Sequence, residues 1–316
     1  MAERILLVRL GAFGDILHAL PAAATVRANA PDAHICWIAE PRWLPLLEGN
    51  PHIDEAIPLD RASLSGLLAT RRQLQARRFD TAIDFQGLIK SALTARASGA
   101  QNIFGYSRDE AREPAAALLY HRTFEPQARH VVERHIELAM HAAGPKRRIE
   151  FPIPPGREEA PLPDRFVLAS PLAGWGSKQW PLERYSELGR LLMDRLGLPL
   201  VLNTAAPIPP LAATVPHVTG LAGLIDATRR ALAVVGVDSG PLHLAAALQK
   251  PGVALFGPTD PARNGPYCDT ITVLRDASQP VSYKRESAPA PGLAALAAVR
   301  VLEALEASLR AHFQTR

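Results

Sequence analysis

Cysteine is almost missing from this chain: Cys36 and Cys268 are its only two, and they stand too far apart to suggest a disulfide framework or a cysteine-rich metal site. A reducing compartment is therefore expected. No run of ~18 uncharged apolar residues occurs, so no segment reads as crossing a membrane. The apolar stretch at 5–8 is too short for a secretory signal. The expectation is a cytoplasmic protein that meets membranes only at their surface. Charge of one sign is lacking too. Lys and Arg number 35 against 31 Asp and Glu, a net +4, and no basic arm or tail announces nucleic acid. Also absent are an Asp-x-Asp pair to hold a metal on a diphosphate, a His-Glu-x-x-His zinc motif, a Gly-x-Ser-x-Gly elbow, a P-loop and a Gly-x-Gly-x-x-Gly fingerprint.

What is present is a globular composition, 47% hydrophobic and 21% charged, over 316 residues, long enough for two cores. Short apolar runs at 4–10, 35–40, 55–59, 81–85 and 102–106 alternate with helical patterns, which implies a parallel sheet covered on both faces. Five prolines in residues 151–164 mark an extended linker. Beyond it the alternation restarts, with strands at 166–170, 199–203, 233–237, 253–256 and 270–274 and helices at 181–196, 223–232 and 241–248. The expectation is two Rossmann-like αβα domains, 1–155 and 165–316, facing across a cleft at the carboxyl ends of their strands. The Ala- and Leu-rich tail at 291–312 reads as a surface helix, able to pack back on the first domain.

Chemistry-bearing residues collect at those strand ends. The first strand leads into Gly11, Gly14 and Asp15, with a helix expected from near Ile16. Asp15 is either an N-cap or a general base toward an acceptor hydroxyl. Lys178, in a loop of small residues before a helix, is either a point charge on a phosphate or a solvated lysine. In Asp238, Ser239, Gly240, Pro241, Pro241 suits a first helical turn and Ser239 or Gly240 its cap. That helix start, with the Ser239 hydroxyl, offers a diphosphate site. His243, one turn in, reaches a phosphate oxygen or packs on the loop. Asp238 binds sugar hydroxyls or shapes its turn, and Thr259 and Asp260 contact the donor or cap theirs. Lys90 and Arg112 are placed to meet an anionic acceptor, and Arg71, Arg72, Arg77 and Arg78 share part of a helix face that is either solvated or laid on anionic lipid.

Together these segments resemble the heptosyltransferases of glycosyltransferase family 9 over nearly the whole chain. Residues 11–18 (GAFGDILH) resemble the family's Gly-Asp motif. Residues 84–92 (DFQGLIKSA) and 111–114 (AREP) look like its heptosyltransferase I branch, and 236–243 (GVDSGPLH) with 257–261 (GPTDP) match its donor signature. The resemblance implies a GT-B fold and inverting transfer of L-glycero-D-manno-heptose from ADP-heptose to Kdo-lipid A, in lipopolysaccharide inner-core biosynthesis. It further implies no metal or other cofactor, and peripheral attachment to the inner membrane. By motif position Asp15 would be the base and Lys178 the phosphate partner. Asp238 would contact heptose, Ser239, Gly240 and His243 the diphosphate, with Thr259 beside them. Arg112, Lys90 and Arg61 would face the acceptor. The sequence departs from the pattern at Ala173 and Gly174, where hydroxyls are usual, at Pro209, near the usual ribose-binding acid, and in a short basic loop whose main cation is Arg61.

Three other readings compete: a heptosyltransferase II or other family 9 transferase with a different acceptor, a nucleotide-sugar epimerase, and a noncatalytic nucleotide-sugar binding protein. Acceptor profiling, donor consumption without acceptor, and the effect of Asp15→Ala separate them.

Overall fold

A computed structural model describes residues 2–314. The chain forms two compact units that divide between Pro154 and Pro155.

The first unit runs β1 (Arg4–Val8), α1 (Phe13–Asn29), β2 (His34–Ala39), β3 (Glu55–Pro58), α2 (Leu64–Ala76), β4 (Thr81–Asp84), α3 (Ile89–Ala97), β5 (Asn102–Tyr106), β6 (Arg122–Phe124) and α4 (Val131–Ala143). Its sheet is parallel throughout, in the order β3-β2-β1-β4-β5-β6. β1 is central, with Leu6, Leu7 and Val8 wholly buried, as expected for a strand covered on both faces. Crossovers run one way from β1 to β3 and the other way from β3 to β6. Right-handed connections therefore put α1 on one face and α2 and α3 on the other. The contacts agree: α1 packs on α4, and α2 on α3. The order reverses between β1 and β4, and the loops after these two strands, residues 9–12 and 85–88, meet at that switch point.

The second unit repeats the plan with β7 (Val167–Ser170), α5 (Leu182–Leu196), β8 (Leu200–Thr204), β9 (Thr214–Val218), α6 (Leu221–Arg230), β10 (Ala233–Val237), α7 (Gly240–Ala247), β11 (Gly252–Phe256), α8 (Pro261–Asn264), β12 (Ile271–Arg275), α9 (Pro291–Ala294) and α10 (Ala298–Gln314). The parallel order is β12-β11-β10-β7-β8-β9, so its switch point lies between β7 and β10. The Pro-rich segment has neither helix nor strand. From residue 155 on it is tied to the second unit: Arg157 N–H donates to the Ala222 carbonyl at 3.1 Å, and Glu159 accepts from Gly220 N–H at 2.7 Å.

Two strands lie outside the sequence reading, β6 and β9, and both are sheet edges. The tail is two helices rather than one. The Leu296 carbonyl, in the break between α9 and α10, accepts the indole N–H of buried Trp180 at 3.0 Å instead of continuing a helical ladder. α10 buries Val301, Leu302 and Leu305 in the core of its own unit, against α5 and β11.

Candidate active site

In the first unit the site is built on the turn after β1. α1 starts at Phe13, three residues earlier than its sequence suggests, with Ala12 at the N-cap. Asp15 is thus in the first turn and is not the capping residue; its carboxylate reaches back to accept Ala12 N–H at 3.2 Å. Two guanidiniums flank it. Arg9 Nη2 lies 2.9 Å from Oδ1, and Arg112 Nη1 lies 3.2 Å from Oδ2. Burial pushes the Asp15 carboxyl up, but Arg9, Arg112 and the Ala12 amide outweigh it and hold the group below the usual carboxylate range.

The two arginines differ in freedom. Arg9 is buried and fixed by a 2.6 Å bond from its Nη1 to the Phe85 carbonyl, whereas the Arg112 side chain is 51% exposed. His135, buried and bonded through Nδ1 to Tyr106 at 2.5 Å, is driven well below its normal pKa by burial and then by Arg9, Arg134, His130 and Arg112. Asp15 is therefore flanked by positive charge, and the exposed Arg112 is suited to an anionic ligand.

Asp84 shapes the neighbouring loop. Fully buried at the end of β4, it accepts from Ser91 Oγ and Tyr120 Oη, both at 2.7 Å, and from the amides of Gln86 and Gly87. Gly87 has φ of +68°, and a Cβ there would press on the Ala111 and Arg112 backbone. The glycine thus lets the loop carrying Arg112 approach, and Glu113 N–H bonds the Gly87 carbonyl at 2.9 Å.

In the second unit a buried carboxylate organises the strand ends. Asp238, 5% exposed at the end of β10, has Oδ2 at 2.6 Å from both Lys178 Nζ and Thr259 Oγ1, and Oδ1 at 3.6 Å from His243 Nε2. Burial opposes its charge, but His243 and Lys178 hold it far below the usual carboxylate range. Lys178 ends a short 3-10 turn, Gly176–Lys178, and its ammonium sits 4.4 Å from the centroid of the Trp175 ring. Arg285 approaches the same ring at 5.5 Å. At the start of α7, Ser239 is the N-cap but makes no capping bond, and its hydroxyl is buried without a partner among the described residues. Such a group needs an explanation, and a phosphate oxygen at this helix start would supply its bond.

A lysine, a buried acid, an N-cap serine and a histidine thus gather at the strand ends of the second αβα unit, and a clamped carboxylate at those of the first. Residues 67–291 match the model of glycosyltransferase family 9 (heptosyltransferase). The chain belongs to that family. It is 33% identical over 304 residues to lipopolysaccharide heptosyltransferase 1 of Pseudomonas aeruginosa, covering 84% of this chain and 81% of that one. Among solved structures it is similar to E. coli heptosyltransferase WaaC with ADP-2-deoxy-2-fluoro heptose (TM-score 0.76, 27% identity, 96% and 99% of the two chains). It is similar too to E. coli ADP-heptose lps heptosyltransferase II (TM-score 0.79, 26% identity, 98% and 99%). The two six-stranded parallel sheets with flanking helices are those of the GT-B heptosyltransferases.

In this family 9 chain the residues expected on the donor side do come together: Lys178, Asp238, His243 and Thr259 form one network, with Ser239 and Gly240 at the helix start beside it. On the acceptor side Arg112 meets Asp15, but Arg61 does not; it pairs with Glu40 at 2.5 Å. Lys90, on the first turn of α3, is exposed and makes no ion pair among the described residues. Arg9, Trp175 and Arg285 were missed by the sequence reading. Arg9 carried a signal, since a charged residue following the apolar run ILLV at a parallel strand's carboxyl end is rarely there for packing. Nothing in the sequence marked Arg285. His34, Cys36 and Glu55 form the one grouping of metal-ligand types among the described residues, and there Arg77 already clamps Glu55 through two nitrogens.

Proposed function

We propose that the protein transfers L-glycero-D-manno-heptose from ADP-heptose to Kdo-lipid A, as a peripheral protein on the inner face of the cytoplasmic membrane, with inversion and without a metal. The observation that carries this reading is the position of Asp15 between one fixed and one exposed arginine. In the free protein Arg9 and, beside it, Arg112 hold the carboxylate below its usual range and make it a weak base. An acceptor carboxylate or phosphate that draws Arg112 away removes a positive charge from Asp15. That raises its proton affinity and frees Oδ2 for the acceptor hydroxyl.

The hydroxyl proton then passes to Asp15 as the oxygen attacks the anomeric carbon, and the bond to the donor diphosphate breaks on the opposite side. A single displacement of this kind inverts the configuration. Lys178, the Ser239 hydroxyl and the α7 amides take up the charge on departing ADP, in place of a metal ion. For Lys178 this means exchanging its contact with Asp238 for one with phosphate. Asp238 and His243 are then left to meet the heptose hydroxyls and the diphosphate, with Thr259 holding Asp238 in place.

The heptosyltransferase 1 named among its relatives and the ADP-heptose analogue named with WaaC support the donor and the reaction. The likeness to heptosyltransferase II supports a second reading, in which the acceptor already carries a heptose. Incubation with ADP-heptose and either Kdo-lipid A or its heptosylated product separates them. Transfer to the first alone is expected; transfer to the second alone overturns the acceptor, and an α-configured donor carbon carried unchanged into the product, or its β equivalent, overturns inversion.

A further inference from the structure

Helix α2 carries its apolar side chains on the wrong side for a helix that only covers a sheet. Its buried stripe is Gly66, Thr70 and Leu74, spaced four apart. Outward stand Leu64, Leu67, Leu68, Arg71 and Arg72, at the i, i+3, i+4, i+7, i+8 positions of one face, all of them exposed and Leu64 to 74%. Helix α3, packed beside it, repeats the inversion: Ser91, Ala92, Thr94 and Ala95 point inward, while Ile89, Lys90 and Leu93 are exposed. The 3-10 turn Pro114–Leu119, packed on α3, adds Leu118 at 82%.

The charge carried by the two helices themselves is of one sign, with Asp60 and Glu113 at their margins. No Asp or Glu occurs in residues 61–79 or 85–108, and Arg71 and Arg72 make no ion pair among the described residues. Apolar side chains interleaved with unpaired cations on a helix face match the acyl and headgroup layers of an anionic bilayer. A second copy would bring the same cations face to face and be repelled.

The face also adjoins the site. Ile89 N–H donates to Glu113 Oε2 at 2.6 Å, and the preceding residue, Arg112, holds Asp15. We propose that the outer faces of α2 and α3, with Leu118, lie on an anionic bilayer and bring the sugar end of a lipid-linked acceptor to Asp15 while its acyl chains stay in the membrane. The second half of this statement rests on the acceptor reading above; the first does not.

The test is cosedimentation with vesicles of phosphatidylethanolamine and phosphatidylglycerol in equal parts, and of phosphatidylcholine alone, for wild type, Leu64→Ser/Leu68→Ser and Arg71→Gln/Arg72→Gln. Wild type is expected to bind the anionic vesicles, and each double variant to bind them roughly tenfold more weakly. Both variants should keep the wild-type rate on a de-acylated, water-soluble acceptor and lose transfer to the vesicle-embedded one in step with binding. No vesicle binding by wild type, or undiminished binding by both variants, overturns the proposal. So does a fall in oligomeric state of the leucine variant on gel filtration, which would put a second copy on this face. Vesicle binding that depends on these residues, with no transfer by wild type to any acceptor, supports the membrane face and overturns the acceptor reading instead.

Discussion

The ammonium of Lys178 lies 2.6 Å from the carboxylate of Asp238, between that buried acid and the Trp175 ring. In the proposed reaction this charge meets the donor diphosphate, and it is held in place beforehand by Asp238. Lys178→Met strands Asp238 with Thr259 and His243 as its remaining partners, and is expected to lower stability by roughly 2 kcal/mol as well as to remove activity. Adding Asp238→Asn should restore most of the stability and none of the activity, as read by urea denaturation and transfer assays run in parallel.

The same pair sets an acid limit on stability. Because the folded-state pKa of Asp238 is depressed, its ionised form stabilises the protein above the unfolded value of about 4. That contribution is lost as pH falls below this value toward the folded pKa. The stability gap between wild type and Asp238→Asn should therefore be level from pH 5 to pH 8, as order-of-magnitude bounds on the window, and narrow on further acidification. A gap that widens with acid would contradict the assignment.

Arg112 acts on Asp15 through its charge. Replacing it with Gln removes a cation from beside the carboxylate, so the Asp15 pKa must rise and the acid limb of the kcat/KM profile must move to higher pH. Acceptor KM should rise as well, with donor KM unchanged.

Gly87 allows the backbone before Arg112 to come close at a positive φ. Gly87→Ala meets both a strained conformation and a crowded neighbour, and should cost about 1–2 kcal/mol along with acceptor affinity. Chemical denaturation and acceptor titration check the two effects separately.

Cys36 is a buried thiol whose pKa burial pushes up to about 12. It should resist thiol reagents in the native protein at neutral pH and react on unfolding. Reagent counts on native and denatured Cys268→Ser, whose remaining thiol is Cys36, give the answer.

The central strands were legible because β1, β4, β7, β10 and β11 are buried on both faces, which leaves short, largely apolar runs, broken in β4 by Thr81 and Asp84. β6 and β9 were not. The first is a three-residue edge with exposed Arg122 and Thr123, and the second contains Pro216, so neither shows a strand's usual signature. The start of α1 was misplaced because Ala12, a poor capping residue, is supported by Asp15 from inside the helix. Of the site, the motif residues could be read off, since they follow strands. Arg9 beside Asp15 and Trp175 beside Lys178 depend on where neighbouring loops fold, as does the pairing of Arg61 with Glu40.

The measurement that reaches the mechanism most directly is transfer from ADP-heptose to Kdo-lipid A in EDTA, by wild type and Asp15→Asn, with donor binding followed alongside. The account predicts that wild type keeps its rate without metal, and that the variant binds donor normally but transfers roughly 100-fold to 10,000-fold more slowly. A variant within tenfold of wild type, or a wild type silenced by EDTA and restored by a divalent ion, would contradict it.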